Sequence, residues 1–168
     1  MLSFSTAVSV AAERGIRVLP FWLPDCPATT AERAASEKAA AVYARQSGAR
    51  LAVARHAVTP DSPWSLSPAH MRRAPFVARL VLPSPNGAAI AAAAPPHVRV
   101  VAACLRNITA VGSWLTARGY GSPAHPVAVI AAGERWPDGG RGPPPGGPGG
   151  GPGRHSHQFP PGRGPRSP

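Results

Sequence analysis

Three short segments place polar or charged side chains directly after apolar stretches of the chain. They are Ser84-Pro85-Asn86-Gly87, Cys104-Leu105-Arg106-Asn107 and Gly133-Glu134-Arg135-Trp136. In open α/β sheets, ligands bind where strands end and the chain turns into a loop or helix. Free backbone N–H groups at helix starts, with Arg106 and Arg135 nearby, would hold an anionic group. The carboxylate of Glu134 would hold a divalent cation.

The elements expected to position these segments alternate along the chain. Apolar periodicity and capping signals predict helices and strands. The predicted helices cover residues 5–15, 30–46, 88–94 and 107–118, and the predicted strands cover residues 16–22, 51–55, 77–82, 98–103 and 127–132. The last two strands read as buried. Strands that alternate with helices and are apolar on both faces predict an α/β sheet with helices on both sides.

Composition limits the classes of protein that remain. The chain has 168 residues and a net charge of +11, with Gly and Pro concentrated after residue 139. Two cysteines, Cys26 and Cys104, cannot build a disulfide framework, and their spacing fits no zinc site. No apolar run has the roughly 18 residues that a membrane span needs. We therefore expect a cytoplasmic protein with no membrane partner. The sequence suggests no partner for the histidines His56, His70, His97 and His125.

Several runs of residues resemble segments of the 2-phosphosulfolactate phosphatase family. The three clearest are Leu80-Val81-Leu82-Pro83-Ser84-Pro85-Asn86-Gly87, Cys104-Leu105-Arg106-Asn107 and Ala132-Gly133-Glu134-Arg135-Trp136-Pro137-Asp138-Gly139. Ser65-Leu66-Ser67-Pro68 and Phe4-Ser5-Thr6-Ala7 are also similar to family segments. The resemblance covers roughly residues 2–139, with the segments in the family's order.

The resemblance implies a fold and a reaction. The fold is a three-layer α/β/α sandwich with a central, partly parallel sheet. The reaction is the Mg²⁺-dependent hydrolysis of 2-phosphosulfolactate to sulfolactate and phosphate, a step of coenzyme M synthesis. The partner is then a small anionic phosphorylated substrate, and homo-oligomer formation stays open.

The resemblance also implies roles for individual residues. The expected catalytic residues are Cys104, Arg106 and Glu134, the substrate-binding residues are Ser84, Asn86, Gly87, Asn107 and Arg135, and the Mg²⁺ ligands are Glu134 and Asp138. For Cys104 we favour the alternative of a small buried residue, because metal-assisted attack by water needs no thiol.

The chain departs from the family pattern at both ends. The strand and aspartate that precede the family's version of Phe4-Ser5-Thr6 have no counterpart, so we expect an α/β domain over residues 1–139 that is incomplete at both ends. Residues 140–168 contain 10 Gly, 9 Pro and 4 Arg, which predicts an unstructured tail. A shifted reading frame in GC-rich DNA would produce such a change of composition.

Two other readings of the whole chain stay open. The first is a non-catalytic basic protein that binds nucleic acid through the arginines of its tail, although four dispersed arginines and one aromatic residue favour that poorly. The second is a fragment without a stable fold. Loss of the family's ends would also explain an absence of activity.

Overall fold

A small parallel sheet lies at the centre of the protein. The computed structural model describes residues 4–23 and 29–131. Its strands are β1 (Arg17–Trp22), β2 (Arg50–Leu51) and β3 (Arg79–Ser84), in the order β1-β3-β2, with both pairings parallel. The α/β class predicted from the sequence is therefore confirmed.

The helices lie before, between and after these strands. They are α1 (Phe4–Glu13), α2 (Thr30–Gln46), α3 (Pro68–Arg73), α4 (Gly87–Ala93) and α5 (Ile108–Ala117), with a short 3₁₀ helix at Arg55–Ala57. α2 begins at a capping box, in which Thr29 Oγ1 accepts from the Glu32 N–H at 3.1 Å and Glu32 Oε2 accepts from the Thr29 N–H at 3.2 Å. Gly48, at a φ of +59°, lets the chain turn away after its end.

The core forms around β3 because this strand has a neighbour on each side. Leu80, Val81 and Leu82 have no solvent exposure, so β3 is buried on both faces. Leu80 and Leu82 belong to one apolar cluster, whose other buried members are Ala7, Val10, Ala11, Ile16, Ala52, Trp64, Met71 and Ala74. α2 contacts β2 and β3, and it buries Ala40 and Ala44.

The carboxyl ends of the strands meet at one edge of the sheet. Trp22, the last residue of β1, lies opposite Ser84, the last residue of β3. On the other side of β3, Val53 forms a parallel bridge with Ser65 just after β2. The segments that follow Ser65 and Ser84 therefore leave the sheet at its carboxyl edge.

Two predicted strands are wrong. The parts of residues 98–103 and 127–132 that the structure describes form no strand, and their valine and isoleucine side chains are exposed. Val100 is 49% exposed and Val129 is 85% exposed. Neither segment pairs with the sheet within the described residues, so a strand-like sequence alone does not make them strands. β2 is also shorter than predicted: it ends at Leu51, Val53 forms only an isolated bridge with Ser65, and a 3₁₀ helix begins at Arg55.

Among residues 4–23 and 29–131, no helix combines the length and the apolar character needed to cross a lipid bilayer. The predicted tail, residues 140–168, lies outside the described residues.

Candidate functional site

The loop after β3 is the best-defined part of the predicted site. Ser84 is buried, and its Oγ accepts a hydrogen bond from the Gly87 N–H at 3.2 Å, which closes the loop into a tight turn. The carbonyl of Asn86 accepts the first helical bond of α4, from the Ile90 N–H at 3.1 Å. The Asn86 side chain forms no capping bond. Because no described residue takes up this amide as a cap, it is available to a ligand at the carboxyl edge of the sheet.

Phe4 closes one side of this loop. Gly87 is buried against the Phe4 side chain, and a Cβ atom added to Gly87 would lie 2.8 Å from the Phe4 Cβ and closer still to its ring. Only glycine fits at this position without movement of α1. The structure thus brings together two segments that the sequence analysis singled out separately, residues 4–7 and 80–87.

A third such segment, residues 65–68, supplies one member of a hydrogen-bonded pair, Ser65 with His70, that the sequence pattern does not predict. Ser65 Oγ lies 2.9 Å from His70 Nδ1 and also accepts from the Ser67 N–H at 3.1 Å. In the His70 tautomer protonated at Nε2, the Ser65 hydroxyl donates to Nδ1, and in the other tautomer the Nδ1–H donates to Ser65 Oγ. Ser65 has no solvent exposure, so this pair orders the start of α3 and does not present a nucleophile. The signal for α3 was Ser67 followed by Pro68, a capping residue before a first-turn proline.

Asn107 organises the turn that contains Cys104. Its Oδ1 accepts from the Cys104 N–H at 2.8 Å, and its Nδ2 donates to the Ala102 carbonyl at 3.0 Å. Its own N–H donates to the Cys104 carbonyl at 3.1 Å. The predicted substrate-binding residue Asn107 is therefore occupied in holding the backbone, and Cys104 is a half-buried free thiol.

Arg106 contacts helix α1 and forms no hydrogen bond with the described residues of the Ser84 loop. Its Nη1 donates to Ser9 Oγ at 3.3 Å, and its Nη2 forms an ion pair with the Glu13 carboxylate. Phe4 begins α1 beside Gly87, and Glu13 ends the same helix about 13 Å further along the axis at 1.5 Å per residue. Within the described residues, the structure groups Ser84, Asn86 and Gly87 but does not bring Arg106 to them.

The described residues do not by themselves fit Mg²⁺. No group of three or more His, Cys, Asp or Glu side chains among them is arranged to hold a metal ion. At the Ser84 loop they offer hydroxyl and amide oxygens, whereas Mg²⁺ sites in proteins include carboxylates. The expected ligands Glu134 and Asp138, and the expected substrate-binding Arg135, lie outside the described residues.

Comparison with known proteins leaves the family open. No protein-family model matches the chain, and neither a curated protein nor a solved structure is significantly similar to it.

Proposed function

We propose that residues 1–139 form a domain of the 2-phosphosulfolactate phosphatase type, which hydrolyses 2-phosphosulfolactate or a related small phosphomonoester. One observation carries the proposal: the central parallel strand ends at Ser84, and the following loop packs against Phe4. Two segments that resemble the family therefore meet at the edge where α/β proteins bind ligands. The burial of β3 on both faces supports a three-layer α/β/α arrangement in this proposal.

In this proposal the Ser84 loop binds the anionic substrate. The side-chain amide of Asn86 supplies a neutral donor, and Ser84 holds the turn in shape through its bond to Gly87. Glu134 and Asp138 are the proposed ligands of Mg²⁺, which would neutralise charge on the phosphoryl oxygens. Arg135 is the proposed cationic contact. Arg106 contacts substrate only if it leaves Glu13, so we assign it a positioning role between its turn and α1. A cytoplasmic location accompanies the proposal.

The test is phosphate release from 2-phosphosulfolactate by the full chain, with Mg²⁺ or with EDTA. We expect Mg²⁺-dependent release that is abolished in Glu134→Gln and lowered at least tenfold in Asn86→Ala. Gln46→Ala is the matched control, because it removes an exposed amide at the end of α2, away from the Ser84 loop. Circular dichroism checks that each variant is folded.

Two results would contradict the proposal. No phosphate release from folded protein, with this substrate or with a panel of small phosphomonoesters, would remove the enzymatic function. Phosphate release that falls equally in Asn86→Ala and Gln46→Ala would show that the substrate does not bind at the Ser84 loop.

A further inference from the structure

Arginine side chains gather at the amino edge of the sheet, opposite the Ser84 loop. Arg17 begins β1 and Arg79 begins β3, and the register places their Cα atoms directly opposite each other. Neighbouring strands lie about 4.8 Å apart, so these two side chains leave the same face of the sheet side by side. Arg45, in the last turn of α2, lines the same region. We call Arg17, Arg45 and Arg79 the arginine cluster.

Two cavities that are open to solvent lie beside these arginines, and Arg79 lines both. Arg45 and Arg79 line a cavity of about 450 Å³, and Arg17 and Arg79 line a second one of about 210 Å³. Tyr43 and Ser47 also line the smaller cavity. Arg79, which lines both cavities, is held in place because its Nη1 donates to the Ser47 carbonyl at 3.0 Å.

No described carboxylate offsets the charge of the cluster. The described ranges contain four acidic residues, Glu13, Glu32, Glu37 and Asp61, and none of them forms an ion pair with the cluster. Glu13 pairs with Arg106, and Glu32 caps α2. Arg50 lines the larger cavity too, but its guanidinium lies 5.9 Å from the centroid of the Trp64 ring. Like charges opposite each other on neighbouring strands repel, and a bound anion would relieve that repulsion.

We propose that the arginine cluster binds an anion that carries two or more phosphate groups, with one group in each cavity. Guanidinium groups match phosphate oxygens through paired N–H donors, and the hydroxyls of Tyr43 and Ser47 add neutral donors. Arg79 is common to both cavities and would bridge neighbouring phosphates. This site lies at the edge of the sheet opposite the proposed phosphatase site, so the two proposals succeed or fail independently.

Calorimetric titration of the full chain tests this site. The probes are inorganic tripolyphosphate, ATP and orthophosphate. We expect tripolyphosphate to bind at least tenfold more tightly than orthophosphate, and added salt to weaken this binding. Tighter binding of ATP than of tripolyphosphate identifies a nucleotide as the ligand, and equal or weaker binding of ATP identifies the polyphosphate chain alone.

Single-charge variants separate this site from the general basicity of the chain. Arg79→Ala is expected to weaken tripolyphosphate binding at least tenfold, and Arg45→Ala at least threefold. Arg33→Ala is the matched control: it removes the same charge from an exposed position on α2 outside both cavities, and its effect should stay below twofold. Arg79→Ala also removes the hydrogen bond to the Ser47 carbonyl, so circular dichroism must show that this variant is folded. If it is not, Arg45→Ala still tests the site.

Three results would overturn the proposal. The first is that folded protein binds neither tripolyphosphate nor ATP. The second is that tripolyphosphate binds no more tightly than orthophosphate. The third is that Arg33→Ala and Arg45→Ala weaken tripolyphosphate binding equally. The last result would show that the anion responds to net charge and not to these cavities.

Discussion

Replacement of Gly87 by alanine tests the contact between the first helix and the predicted substrate loop. The new Cβ would lie 2.8 Å from the Phe4 Cβ, whereas carbon atoms in contact are about 3.5–4.0 Å apart. The near end of the Phe4 side chain, which cannot swing aside without movement of α1, makes this contact. Phe4 packs on the central cluster, so its displacement also costs buried apolar area.

The magnitude follows from two opposing effects. An overpacked core position costs about 1–3 kcal/mol. Alanine in a helix is favoured over glycine by up to about 1 kcal/mol, and this gain is small at Gly87 because it is the first residue of α4. We therefore expect Gly87→Ala to lower the free energy of unfolding by about 1–2 kcal/mol. With a urea m-value of about 2 kcal/mol per molar, the unfolding midpoint would fall by about 0.5–1 M.

Urea unfolding followed by circular dichroism measures this change, and two further variants interpret it. In a Phe4→Ala background the obstacle is gone, so Gly87→Ala should there be neutral or stabilising. Gly112→Ala, inside α5 with nothing within 4 Å of the added Cβ, should leave the midpoint unchanged or raise it. Stabilisation by Gly87→Ala in the original chain would refute the close packing of Phe4 on this loop.

Three other changes test how the elements around the site are held. Thr29→Ala removes the capping bond to the Glu32 N–H and should lower the free energy of unfolding by about 1 kcal/mol, measured by the same urea titration; no change would show that the start of α2 contributes nothing. Asn107→Ala removes two side-chain hydrogen bonds and should raise amide hydrogen-exchange rates in residues 102–111 about tenfold, while exchange in β3 stays unchanged. Equal exchange rates in the variant and the original chain would contradict the organising role of Asn107. A double-mutant cycle of Arg106→Ala and Glu13→Ala should give a coupling of about 0.2–1 kcal/mol in the free energy of unfolding. This coupling should fall with added salt, because the Glu13 side chain is 54% exposed. A coupling that salt leaves unchanged would contradict a solvated ion pair.

Local sequence signals predicted most of the elements because those elements depend on nearby residues. α2 forms at the predicted residues because a capping box and a glycine mark its two ends. α1, α4 and α5 also lie within a few residues of their predicted positions, as do β1 and β3. α3 was missed because six residues carry little periodicity, although Ser67 and Pro68 mark its start.

The disagreements over the fold and over the site have one physical cause. A parallel strand forms through hydrogen bonds to a neighbouring strand, and a valine-rich run such as Val98-Arg99-Val100-Val101 does not specify which neighbour it joins. Had residues 98–103 joined the sheet, the following turn would have left at the carboxyl edge and brought Arg106 toward Ser84. Because residues 98–103 do not join the sheet, Arg106 forms its ion pair with Glu13 on α1. The position of the expected catalytic arginine is thus decided by a pairing between distant parts of the chain. Sequence spacing predicted Ser84, Asn86 and Gly87 together because they belong to one turn, and it could not predict the placement of Arg106.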